Sequence, residues 1–186
     1  MRRKTLLSNL AFATLLLAAP GCDEKKSATP ADASASAKGG EVYKELDITL
    51  PDINGDDVTL TSRTKNDVHV LCFWAVWCTP CQAELAQIQP MWKELKDKGL
   101  NVYAVSTDQP DTAARVVAFA EQAGYEFPVL MDRDSAVLGR YNQSGEIPFY
   151  VILDADGQKL KEHQGYTKGD EKELRAYLDQ LLGGAK

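Results

Sequence analysis

The sequence has few of the histidines and cysteines from which zinc sites are built, and it has no concentration of positive charge. It contains two histidines and four cysteines among 186 residues, and no second Cys-x-x-Cys or matching histidine pair could complete a zinc site with Cys78 and Cys81. The net charge is −6 and there is no basic stripe, so binding to nucleic acid or to anionic lipid head groups has little support. We therefore expect protein or small-thiol partners, no nucleic-acid partner, and no cofactor or metal.

The N-terminus lacks an apolar run long enough for a comfortable transmembrane helix. Leu6–Ala19 is a short apolar stretch that follows the positive segment Arg2–Lys4 and precedes Cys22, which is the layout of a bacterial secretion signal. Residues 1–21 are therefore predicted to be a signal peptide, and the protein is expected to be exported. Small residues just ahead of Cys22 resemble a lipoprotein signal, in which a lipid on Cys22 anchors the protein at the periplasmic face of a membrane. The alternative is ordinary cleavage near the same point, with Cys22 left as a free thiol.

Two segments follow the predicted signal peptide. Residues 22–40 contain Ser, Ala, Lys, Pro and Gly and almost nothing that could form a core, so they are predicted to be a flexible tether. Residues 41–186 have a mixed α/β pattern and enough apolar residues for one globular domain.

Strands that alternate with helices predict a central, partly parallel sheet that is covered on both faces. A short N-terminal hairpin is expected around the turn dipeptide Asn54-Gly55. The nearly continuous apolar run Val68–Trp74 is typical of a strand buried on both faces. A helix is expected over residues 79–98, and Asp111 is expected to cap a second helix that ends at Gly124.

The Cys-x-x-Cys pair lies where this apolar strand meets the predicted helix. Free N–H groups and the macrodipole at a helix N-terminus favour a charged sulfur and lower the pKa of Cys78. Cys81, one turn further on, can then close an intramolecular disulfide. Pro80, which follows Thr79, removes a backbone donor that could stabilise a thiolate, and this favours a reducing couple. A permanent disulfide or half of a zinc site are the alternatives, and redox cycling fits this spacing better.

Three segments together carry a family resemblance. Phe73-Trp74, Trp77–Cys81 and Glu146–Pro148 resemble the thioredoxin-like fold, and more narrowly the TlpA/ResA-like family of extracytoplasmic thiol-disulfide oxidoreductases. The resemblance covers about residues 42–182. It implies a thioredoxin-like central mixed sheet flanked by helices, with an N-terminal β-hairpin extension.

The resemblance also implies roles for the residues of these segments. Cys78 would be the nucleophile and Cys81 the resolving thiol of a dithiol-disulfide cycle. Ile147 and Pro148 would form a cis-proline loop that faces the pair, with Ile147 making main-chain contacts to the substrate. The alternative for Pro148 is a trans proline that starts a strand.

Trp77, Thr79 and Pro80 surround the same cysteines and are expected to contact the substrate as well. Glu84 lies one helical turn after Cys81 and matches an acidic position typical of the family, so it is expected to raise the thiol pKa values and relay protons. The alternative for Glu84 is a solvated helix residue without a role.

Two positions outside these motifs are expected to be structural. Cys72 occupies the strand position where many thioredoxins place a buried acid, and it is expected to be a small apolar core residue. His69 and His163 are expected to be ordinary strand residues.

The expected function is reduction of protein disulfides outside the cytoplasm, with cytochrome c precursors as a candidate substrate and a membrane thiol-disulfide carrier as electron donor. One alternative is a peroxiredoxin-type thiol peroxidase, which Ala75 and Val76 disfavour because that class needs Pro and Thr near its reactive cysteine. The other is a non-enzymatic copper-binding module, whose relatives space their cysteines by three residues and add a histidine.

Overall fold

The described part of the chain comprises residues 44–183 of a computed structural model. The predicted signal peptide, tether and Cys22 lie outside these residues. Seven strands and four helices follow one another in the order β1 Lys44–Pro51, β2 Asp57–Ser62, β3 Val68–Trp74, α1 Thr79–Leu95, β4 Leu100–Ser106, α2 Ala113–Ala123, β5 Val129–Met131, α3 Ala136–Tyr141, β6 Phe149–Leu153, β7 Lys159–Gln164 and α4 Asp170–Gly183. Of the helices in this range, none combines the length and the apolarity that crossing a membrane would require.

The central sheet has five strands in the order β5-β4-β3-β6-β7. Strand β3 is parallel to β4, and β4 is parallel to β5. Strand β6 is antiparallel to β3, and β7 is antiparallel to β6. All seven residues of β3 are buried, as expected for the middle strand of a sheet that is covered on both faces. The predicted mixed sheet is therefore confirmed.

Alternate residues of β3 enter two different cores. Cys72 and Trp74 point into a core that is completed by α1 and α4, whereas Leu71 and Phe73 point into a core on the other face. This alternation is the period of two that a strand imposes on its side chains.

The predicted N-terminal hairpin is formed by β1 and β2, which pair antiparallel. Their buried residues Leu46, Ile48 and Leu60 fill the second core together with α3. The end of the hairpin also approaches the sheet edge, because Asp52 forms an antiparallel bridge with Leu130 of β5. The hairpin therefore acts as the cover of one face of the sheet.

Two helix boundaries show how local signals succeeded and failed. Gly124 ends α2 in a left-handed conformation with φ of +64°, as predicted. Asp111 does not cap α2, so that prediction was wrong. Pro110–Thr112 folds as a 3₁₀ turn, which places Asp111 inside the turn, and α2 begins at Ala113 without a side-chain cap.

A buried histidine joins the hairpin to the sheet. The hydroxyl of Ser62 donates to the carbonyl of Ala155 at 2.7 Å and lies 2.9 Å from Nε2 of His69. Because the only hydroxyl proton is already donated, Nε2 of His69 carries the proton in this bond, and Nδ1 has no partner among residues 44–183. Burial lowers the pKa of His69 to about 4.

This depressed pKa predicts sensitivity to acid. The unfolded chain takes up the His69 proton near pH 6.5 and the folded chain only near pH 4. The stability that neutral His69 contributes is therefore present above pH 6.5 and is lost as the pH falls through this window. Between pH 7 and pH 4, the free energy of unfolding of His69→Gln should fall by about 2–3 kcal/mol less than that of the wild type, measured with urea. If the free energy of unfolding changes equally with pH in His69→Gln and in the wild type, His69 does not have a lowered pKa.

Candidate active site

Cys78 and Cys81 form a disulfide at the start of α1, with 5.3 Å between their Cα atoms. Cys78 is the N-cap residue of this helix, and its sulfur accepts the backbone N–H of Cys81 at 3.3 Å. The first turn of α1 contains no acidic residue. The sulfur of Cys78 therefore lies at the positive end of the helix dipole, where a thiolate would be stabilised after reduction.

The loop that precedes Cys78 is held by two side chains from other elements. The backbone N–H of Val76 donates to the carboxylate of Asp108 at 2.9 Å, and the carbonyl of Val76 accepts from Nε2 of Gln82 at 2.8 Å. Asp108 is 2% exposed and also accepts the hydroxyl of Ser106 at 3.0 Å. Asp108 and Gln82 thus fix the backbone that leads into the disulfide.

Sequence reasoning missed Asp108, although one signal was present. Asp108 comes two residues after β4, which is parallel to β3, and the carboxyl ends of neighbouring parallel strands lie at the same edge of a sheet. A polar residue directly after β4 could therefore have been placed beside the cysteine loop.

The surface beside the disulfide is apolar and open. Trp77 is 68% exposed, and Thr79 and Pro80 are also exposed. Both cysteines are buried, Cys78 at 4% exposure and Cys81 at 0%. A partner would therefore meet Trp77 and Pro80 before it reached the sulfur of Cys78.

The Ile147–Pro148 peptide bond is cis, as the family resemblance implied. Phe149, the next residue, pairs with Phe73 of β3, so the proline lies beside the strand end from which the cysteine loop departs. Ile147 is half-buried and packs against the core that contains both cysteines. Within residues 44–183, no backbone hydrogen bond uses its N–H or carbonyl group.

Glu84 is buried beneath this site, with 4% exposure. Burial raises its pKa to about 8, and the charge of Asp170 adds to the shift. Glu84 is therefore not the solvated helix residue that was the alternative in the sequence analysis.

Cys72 is 1% exposed and packs in the core on this side of the sheet. Burial raises the pKa of its thiol well above the usual value, and the nearby charge of Glu84 raises it further. The Cys72 thiol is therefore protonated at neutral pH and has the environment of a core residue.

Tyr150, His163 and Asp170, the first residue of α4, form a cluster near Glu84. His163 of β7 stacks on Tyr150 with 5.3 Å between ring centroids, and its Nε2 lies 3.3 Å from the carboxylate of Asp170. His163 is about one-third exposed in its side chain, so this pair reaches the solvent.

Comparison with known proteins agrees with this geometry. Residues 43–164 match the sequence profile of the AhpC/TSA family. The thiol-disulfide oxidoreductase ResA of Geobacillus thermodenitrificans is 32% identical over 136 residues, which cover 73% of this chain and 74% of ResA.

Two solved structures are also similar. A Chlorobium tepidum protein assigned as thiol:disulfide interchange protein DsbE has a TM-score of 0.64 and 28% identity, over 80% of this chain and 100% of that one. The exposed lipoprotein thioredoxin Etrx1 of Streptococcus pneumoniae has a TM-score of 0.60 and 25% identity, over 73% and 99% of the respective chains. Together with the disulfide at the start of α1, these matches establish that the chain belongs to the AhpC/TSA family of thioredoxin-like proteins and is a thiol-disulfide oxidoreductase of the ResA type.

Proposed function

We propose that this enzyme reduces protein disulfides outside the cytoplasm, with Cys78 as the attacking thiol and Cys81 as the resolving thiol. The observation that carries the proposal is the position of Cys78 as N-cap of α1, with its sulfur on the N–H of Cys81. Cys78 is also the more exposed of the two cysteines. The partner's sulfur therefore reaches Cys78 first.

The reaction balances as two thiol-disulfide exchanges. The Cys78 thiolate attacks one sulfur of the substrate disulfide, a mixed disulfide forms, and the other substrate sulfur leaves as a thiolate that takes up a proton. The Cys81 thiolate then attacks the sulfur of Cys78 and releases the second substrate thiol. Two electrons pass to the substrate, and the enzyme is left with the Cys78–Cys81 disulfide.

The enzyme must be reduced again after each cycle. The periplasm supplies no reductant of its own, so we propose a membrane thiol-disulfide carrier as the electron donor. Pro80 supports the reducing direction because it removes one N–H donor from the helix start. Cytochrome c precursors are the proposed substrate class, since their haem-attachment cysteines must be free thiols.

The substrate would dock on the open surface beside the disulfide. Trp77, Thr79 and Pro80 are exposed there, and the unpaired backbone of Ile147 next to Pro148 offers an edge for an extended segment. Main-chain pairing gives affinity without requiring one substrate sequence.

We propose that Glu84 is the proton relay of the second exchange. Cys81 must lose its proton to attack, and Glu84 lies one helical turn away in a buried position. Its pKa of about 8 suits proton transfer at neutral pH.

The cysteine roles predict different outcomes for two single substitutions. Cys78→Ser should abolish insulin disulfide reduction because the nucleophile is lost. Cys81→Ser should accumulate mixed disulfides, visible on non-reducing gels, because the second exchange cannot occur.

Cys72→Ala is the control and should retain turnover, since Cys72 is buried away from partners. If both active-site variants reduce insulin like the wild type, the oxidoreductase mechanism is wrong. Rapid peroxide consumption without disulfide reduction would instead favour a thiol peroxidase, and stoichiometric copper retention after dialysis a copper-binding module.

The buried carboxyl of Glu84 predicts two effects of Glu84→Gln. The rate of mixed-disulfide resolution should fall by about 10²-fold, measured by rapid quenching, because the relay is lost. The folded pKa of Glu84 lies above its unfolded pKa, so the stability that this carboxyl contributes is fully present below about pH 4.5 and is lost as the pH rises toward 8. Glu84→Gln should remove this contribution from the pH dependence of the free energy of unfolding, measured with urea.

Glu94→Gln, which changes an exposed carboxylate on the same helix, is the matched control for the resolution rate. Unchanged resolution in Glu84→Gln would dismiss the relay. An unchanged pH dependence of stability would dismiss the raised pKa.

We also propose that Cys22 carries a lipid that anchors the enzyme to a membrane. The residues ahead of Cys22 support this, and the similar Etrx1 is described as an exposed lipoprotein. Cys22→Ala should move the protein from the membrane to the soluble extracytoplasmic fraction and stop incorporation of labelled palmitate. Membrane association and labelling that survive the substitution would refute the anchor.

A further inference from the structure

Two side-chain amides hold the backbone on either side of Ile147. Asn142 follows the last residue of α3, and Gln164 is the last residue of β7. Nδ2 of Asn142 donates to the carbonyl of Glu146 at 2.9 Å and to Oε1 of Gln164 at 2.8 Å. Nε2 of Gln164 donates to the carbonyl of Glu146 at 3.2 Å and to that of Pro148 at 3.0 Å.

The two flanking carbonyls are therefore occupied by donors from the protein itself. The carbonyl of Pro148 has a further donor, the N–H of Gly165 at 2.8 Å. The peptide groups of Ile147 lie between these fixed points, and their own N–H and carbonyl groups have no partner among residues 44–183. The amides thus fix the carbonyls on both sides of Ile147 and leave its own peptide groups unpaired.

Asn142 has no spare hydrogen-bonding capacity. Its two N–H donors are used as described, and its oxygen accepts the N–H of Ser144 at 3.0 Å and the hydroxyl of the same residue at 2.7 Å. It is 9% exposed. A carboxylate cannot donate hydrogen bonds, and an apolar side chain can neither donate nor accept them. Only an amide therefore satisfies all four partners at this position.

We propose that Asn142 and Gln164 form a positioning pair that sets the affinity of the enzyme for disulfides carried on extended polypeptide. The inference rests on the proposed reductase function and goes beyond it, because it assigns discrimination between polypeptide and small disulfides to residues that touch neither sulfur. A small disulfide needs only the sulfur of Cys78. A polypeptide disulfide also needs the edge at Ile147, whose geometry the amide pair maintains.

The test compares two probes on the full-length reduced enzyme: insulin as polypeptide disulfide and 5,5′-dithiobis(2-nitrobenzoic acid) as small disulfide. Asn142→Asp and Gln164→Glu are near-isosteric and remove the donors. Each should raise the half-saturating insulin concentration about three- to tenfold, which corresponds to the loss of one hydrogen bond. The limiting rate with insulin and the rate with the small disulfide should stay within about twofold of wild type.

Gln143→Glu is the matched control, because it makes the same change of charge on an exposed amide in the same turn. It should leave both probes unaffected. Gln164 lies largely at the surface of an edge strand, so Gln164→Ala provides a test if the buried Asn142 variant does not fold.

The outcomes separate the inference from the function on which it rests. Unchanged half-saturation for insulin in the Gln164 variants would overturn the positioning role. An equal loss with both probes would also overturn it, because the pair would then act on the cysteines or on the fold. If the wild type reduces neither probe, the proposed reductase function itself fails.

Discussion

The structure depends on the contact between the sulfur of Cys78 and the backbone N–H of Cys81 in the first turn of α1. A sulfur at that point receives both a hydrogen bond and the field of the helix dipole, and each favours the charged form once the disulfide is reduced. The contact requires a strand that delivers the chain to the edge of the sheet and a helix that starts there without delay. Most of the fold serves to keep this junction in place.

The support of the junction comes from both faces and from neighbouring strand ends. The core under α1 and α4 and the core under the hairpin together bury every residue of β3. Asp108 and Gln82 then fix Val76 in the connecting loop, and the cis peptide before Pro148 lies beside the same strand end. The buried groups Glu84 and His69 have shifted pKa values because this enclosure excludes water.

The sequence predicted the elements whose signals are local. The apolar run of β3, the turn at Asn54-Gly55 and the glycine after α2 all lie where the pattern placed them. The cap assigned to Asp111 failed because Pro110 starts a 3₁₀ turn that competes with the helix start. Asp108 bonds to Val76, 32 residues earlier in the chain, and Asn142 bonds to Gln164, 22 residues later. No periodicity or dipeptide signal encodes hydrogen bonds between residues so far apart in the sequence.

The two edge strands of the sheet are protected from pairing with other strands, whereas the backbone of Ile147 is not. Strand β5 has only three residues and is bridged by the end of the hairpin, while β7 carries the charged residues Lys159, Lys161 and Glu162. Short and charged edges resist pairing with strands of other molecules. Within residues 44–183, both edges of the sheet are therefore protected from pairing with other molecules, while the peptide groups of Ile147 stay unpaired at a single bend.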